Sequence, residues 1–163
     1  MAAYEGQQSA FGELTAYADL SSSQYYFVKL QSATQVTVCA AITDVPIGVL
    51  QNNPTAGQQA IVTTHGLSKM SADGTIAAGN ILGTSADGQA DAIVAGTDTT
   101  VYVCGQAIGA ASAGETFTAF INITNGVRRL TNATANLNRR PCRRDPHQHE
   151  CRLYAGSVRI RFL

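Results

Sequence analysis

The residues with most chemistry to offer lie near the C-terminus. Cys142-Arg-Arg-Asp-Pro-His147-Gln-His149-Glu-Cys151 brings together two thiols and two imidazoles, the donor set of a structural zinc site. Ligands so close in sequence make an awkward tetrahedron, and the spacing matches no common zinc finger. A local Cys142–Cys151 disulfide is a second reading; the favoured one is two free thiols in a polar tail. No metal and no cofactor is therefore expected. His65 lies near Ser68 and Asp44, but a catalytic triad is a matter of geometry that such spacing does not supply. The phosphate loop G-x-x-x-x-G-K-[ST], the dinucleotide fingerprint G-x-G-x-x-G and the nucleophile elbow G-x-S-x-G are all absent. The acids are scattered and fall mostly in turns such as Asp73-Gly74, where turn chemistry explains them. These residues predict a protein that is not an enzyme.

Charge is the next informative property. The net charge is zero, yet it divides sharply along the chain. Residues 1–127 hold two bases and nine acids, a net of −7, whereas residues 128–163 hold nine arginines and two acids, a net of +7. An acidic body with a basic tail is implied. Arg139, Arg140, Arg143 and Arg144 are candidates for an electrostatic clamp onto an acidic protein surface. Neutralisation of nucleic-acid phosphates is the rival reading. The clamp is preferred because aromatic interleaving is thin and no nucleic-acid-binding fold accompanies the arginines. Direct nucleic-acid binding is not expected.

Most of the remaining chain carries a period of two. Gln35–Ile42 sets Val36, Val38, Ala40 and Ile42 on one face, Gln59–His65 alternates similarly, and Val101–Ala110 is a long β-favouring run. Thr116–Ile123 places Phe117, Ala119, Ile121 and Ile123 on one side. Such alternation marks half-buried strands. Pro46, Asn53-Pro54, Asp73-Gly74, Asp87-Gly88 and Gly114 punctuate it as turns. No window shows sustained helical periodicity. The prediction is an all-β chain: a compact barrel- or sandwich-like domain over residues 18–125, with an extended N-terminal arm over 1–17 and an Arg-rich C-terminal extension over 126–163. Tyr4, Phe11 and Tyr17 are spaced aromatics that would let the arm dock on a neighbour. Val158, Ile160 and Phe162 form an apolar face that would add a strand to a neighbouring sheet edge.

Only 13% of residues are charged, about half the usual share, which suits a subunit whose surface is largely covered by neighbours. The N-terminus lacks the basic and apolar regions of a secretory signal. No run of about 18 apolar residues exists to span a membrane as a helix. Synthesis in a reducing cytoplasm is expected, with Cys39 and Cys104 as free buried thiols.

Several stretches in fixed order resemble a known family. They are Asp19–Leu30, Pro46-Ile-Gly-Val-Leu-Gln-Asn-Asn-Pro54 and its continuation to Ala60, Gly66-Leu-Ser-Lys69, Ile76–Leu82, Asp87-Gly88 and Gly105–Phe117. The ordered set P-x-G-V-L-Q-N-x-P, then A-A-G, then A-S-A-G-E before a final strand resembles the capsid cement (head decoration) proteins of tailed phages. It covers about residues 18–123. The resemblance implies a β-barrel subunit on the outer capsid surface of the virion, commonly a homotrimer, that bridges and stabilises major capsid protein subunits. It carries no catalytic residues over to this chain. The Arg-rich tail departs from the family, whose members usually end soon after the strand corresponding to Thr116–Ile123. Other readings are a different virion β domain, tail- or fibre-associated, or a carbohydrate-binding module; the lack of Trp argues against the latter.

Overall fold

The computed structural model describes residues 14–123. Ten strands and no helix make up this part of the chain, which bears out the all-β prediction. The strands are β1 (Thr15–Ala16), β2 (Phe27–Leu30), β3 (Gln35–Val38), β4 (Gly48–Leu50), β5 (Val62–Thr63), β6 (His65–Ser71), β7 (Ile81–Thr84), β8 (Ala90–Ala92), β9 (Gly105–Ala107) and β10 (Thr116–Asn122). They form two five-stranded sheets, ordered β1-β3-β2-β4-β5 and β6-β10-β9-β7-β8.

Each sheet curls until its edges meet. In the first, β1 runs parallel to β3 and is also bridged through Thr15 to Gln59, just ahead of β5. Backbone bonds from Ala16 N–H to Gln58 O (2.8 Å) and from Ala60 N–H to Leu14 O (2.8 Å) complete that closure. In the second, the end of β6 meets β8 through an Ala72–Ala90 bridge, and Gln89 Nε2 donates to Ser71 Oγ at 2.7 Å. Closure leaves few strand edges open to wrong pairing. Leu14 and Ala16 are buried in the first core.

The two curled sheets share a wall. Val28 and Leu50 point into the first core, with Leu14, Leu20, Val36 and Val62. Their neighbours Phe27 and Val49 point the other way, into a second core with Met70, Leu82, Phe117 and Ile121. Strands β2 and β4 are therefore apolar on both faces. This is why Phe27-Val28 and Val49-Leu50 read as short continuous runs rather than as alternation. Backbone bonds from Phe27 N–H to Gly88 O (2.7 Å) and from Ser71 N–H to Tyr25 O (3.1 Å) stitch the wall to the second sheet.

One turn recurs. Among the described residues, four of the six glycines with positive φ follow an alanine: Gly57, Gly79, Gly96 and Gly114. In Thr55-Ala-Gly-Gln58, Ala77-Ala-Gly-Asn80 and Ser112-Ala-Gly-Glu115, the fourth N–H returns to the first carbonyl at 3.0, 3.1 and 3.0 Å. The fourth side chain accepts from the first N–H at 2.9, 2.8 and 2.8 Å. Positive φ at the third position is what such a turn demands of glycine. In Val94-Ala-Gly-Thr97 the acceptor stands one residue later, where Asp98 Oδ2 takes the Val94 N–H at 2.7 Å. Two of the four, at Gly79 and Gly114, feed β7 and β10 directly and so set strand entry.

Candidate functional site

Of the predicted contact residues, the structure describes Tyr17 alone. It follows β1, is 54% exposed, and its N–H donates to Val36 O at 2.9 Å. Tyr4, Phe11, Arg139, Arg140, Arg143, Arg144, Val158, Ile160 and Phe162 lie outside the described residues, as do the candidate metal ligands Cys142, His147, His149 and Cys151. Among the described residues no cluster of three or more metal-ligating side chains occurs.

His65, Ser68 and Asp44 do not converge. Ser68 is buried and its hydroxyl donates to Lys69 O, while accepting from Gln51 Nε2 at 2.9 Å. Asp44 is held by Lys29 Nζ at 2.7 Å and by the N–H groups of Ala40 and Ala41 at 2.7 and 3.1 Å. Partial burial alone would raise its pKa, but Lys29 and the two amides together draw it below the usual carboxylate value. His65 faces outward and meets the ring of Phe120 edge-on, with centroids 5.4 Å apart. Asp73 moves the other way. Its pKa is raised, first by partial burial and then by Asp87 and Asp91 nearby.

Cys39 and Cys104 are free and fully buried in the second core. Burial, with the Asp44 charge second, pushes the Cys39 thiol up to about 12, and burial with Cys39 nearby pushes Cys104 higher. Thiols so far from ionisation are inert nucleophiles. With Cys142 and Cys151 replaced by serine, the native protein at pH 8 is expected to give no reaction with a thiol reagent until denaturant is added. Fast labelling without denaturant would contradict this packing.

Sequence reading missed the outward face of the second sheet. Register sets Leu67, Phe120 and Gln106 side by side across β6, β10 and β9, with Ile81 of β7 next to Gln106. Phe120 is 40% exposed in the middle of a strand paired on both sides. Above this row lie His65 and Asn122; below it lie Lys69 and Thr118. Ile108, 52% exposed, donates its N–H to Thr118 O at 2.9 Å. Lys69 Nζ sits 5.8 Å from the centre of the Tyr25 ring. The signal was present in Thr116–Asn122, where Phe120 occupies an outward position of the alternation.

The described residues thus define an all-β body of two curled sheets about a shared wall. No protein-family model and no curated protein matches the chain. Among solved structures, the head fiber gp8.5 N base of bacteriophage phi29 has the same fold. The TM-score is 0.53 at 20% identity, over 71% of this chain and 95% of that one.

Proposed function

We propose that this protein is a structural component of a tailed-phage virion that sits on the outer surface of the head and stabilises it by bridging major capsid protein subunits. The observation that carries the reading is the fold shared with a head-fibre base across nearly the whole of that base. The ordered cement-like motifs support it. In the structure, Gly48–Leu50 of P-x-G-V-L-Q-N-x-P forms β4 in the shared wall, and the A-A-G and S-A-G-E stretches form turns that launch β7 and β10. Low charge and a closed β body suit a brick set among neighbours. In this reading the protein acts without catalysis or a cofactor, as a homotrimer. Repetition over the shell multiplies a modest interface into large avidity.

The gp8.5 likeness also favours a second reading, in which the body is the base of a head-attached fibre rather than a cement subunit. Both predict saturable co-sedimentation of the purified protein with matched heads that lack it. Absence of binding by folded protein would contradict both and favour a tail component or a carbohydrate-binding module.

A further inference from the structure

We infer that Asp73-Gly74 is a site of spontaneous covalent modification, where aspartate isomerises to isoaspartate and loosens the closure of the second sheet. This is independent of the head-binding reading above.

The described residues hold two Asp-Gly pairs, Asp73-Gly74 and Asp87-Gly88. Glycine after aspartate favours cyclisation, because no side chain hinders the approach of its nitrogen to the carboxyl carbon. The fold treats the two pairs differently. Asp73 is exposed, in a bend between β6 and β7. Of the seven carboxylates among the described residues, only that of Asp73 accepts no hydrogen bond within them, and the Gly74 N–H makes none there either. Nucleophile and electrophile are therefore both free to meet. Partial burial first, then the charges of Asp87 and Asp91, favours the neutral carboxyl of Asp73, which gives up an oxygen more readily than a carboxylate does.

The second pair is held. The Asp87 carboxylate accepts from the Ser85 hydroxyl and the Gln89 N–H, and the Gly88 N–H donates to Ser85 O at 3.4 Å. Gly88 O accepts from Phe27 N–H at 2.7 Å, which fixes the turn against the wall.

At the first pair the Gly74 nitrogen loses its proton to solvent and attacks the Asp73 side-chain carbon. A C–N bond forms, a carboxyl C–O bond breaks, and the oxygen leaves as water, giving a five-membered imide. Water then adds to one imide carbonyl and breaks its C–N bond. Opening at the main-chain carbonyl leaves the peptide link on the side chain, as isoaspartate; opening at the other restores aspartate. Water is lost and regained, so no further reactant is needed. The new linkage lengthens the main chain where Ala72 bridges Ala90 and Asp73 N–H donates to Ala90 O at 2.9 Å, the contacts that close the second sheet.

The test is ageing of full-length wild type and Gly74→Ala at mildly acidic pH, native and in denaturant, then digestion with a protease that cuts before aspartate but not before isoaspartate. An added Cβ on Gly74 makes only an ordinary contact, with Asp91 Oδ1 at 3.8 Å, and meets no left-handed strain, so the variant is expected to fold as wild type does. In native wild type, cleavage before Asp73 is expected to be lost about tenfold faster than cleavage before Asp87, since attack at the second pair must first break the bonds that hold it. In denaturant the two rates are expected to converge. A peptide lighter by one water marks the imide, and unchanged mass marks isoaspartate; deamidation at Asn125-Gly126 changes the mass of a different peptide. Gly74→Ala is expected to suppress the loss at Asp73. An intact Asp73, loss at Asp87 that is as fast in the native protein, or an unslowed Gly74→Ala would overturn the site. Aged wild type is expected to melt below fresh protein, and aged Gly74→Ala to hold its transition. Isoaspartate at position 73 with an unmoved transition would overturn the link to sheet closure.

Discussion

Gly88→Ala is expected to destabilise the body by about 3 kcal/mol, combining left-handed backbone strain with overpacking. Gly88 has φ of +88° in the turn between β7 and β8, and that turn presses against the wall of the first sheet. An added Cβ would collide with Val38 Cγ1 and stand 2.9 Å from Cys39 O and 3.2 Å from Phe27 O. Two of these three neighbours are backbone, which cannot swing aside. The same backbone carries the bond from Phe27 N–H to Gly88 O that joins the sheets. Gly57→Ala is the control. Gly57 has φ of +77° but nothing within 4 Å of an added Cβ, so it bears only the conformational cost, about 1 kcal/mol. Thermal or urea unfolding of the pair separates strain from collision. Equal losses in the two variants would mean that the hairpin does not press on the wall.

Phe27→Ala is the second large effect, about 3–5 kcal/mol. Phe27 is fully buried and crosses from the first sheet into the core of the second. Its ring has Val49 from its own sheet and Met70, Leu82 and Ile121 from the other as fellow members of that core. Truncation leaves a cavity at the seam, where neither sheet collapses without distorting its closure. Because the seam is shared, the two sheets are expected to unfold in one transition, in wild type and variant alike. Two resolved transitions in the variant would show that the sheets fold as separate units.

What the sequence revealed follows from how each strand is buried. Strand β10 was legible because one face meets the core and the other meets solvent: Phe117, Ala119 and Ile121 are buried while Thr116, Phe120 and Asn122 are exposed. Gln35–Ile42 was read too long. The strand stops at Val38 because Cys39 turns into the second core, and Asp44 takes the N–H groups of Ala40 and Ala41 that a strand would need. Val101–Ala110 yields only Gly105–Ala107, because the preceding residues pack over β7: Val101 Cγ1 lies where a Cβ on Gly83 would go. Strand β1 was missed because two residues are too few to alternate, and its partners lie far along the chain at Gln35 and Gln59. The repeated Ala-Gly turns could have been found, since each Ala-Gly is followed within two residues by a side chain able to accept an N–H. The row Leu67–Phe120–Gln106–Ile81 could not have been, because its members become neighbours only through strand order.

The proposed placement on the head surface is best checked by imaging heads saturated with the purified protein. Regular density repeated over the shell lattice, touching adjacent capsid subunits, is expected. Density confined to the tail, or none on intact heads under saturating conditions, would contradict it.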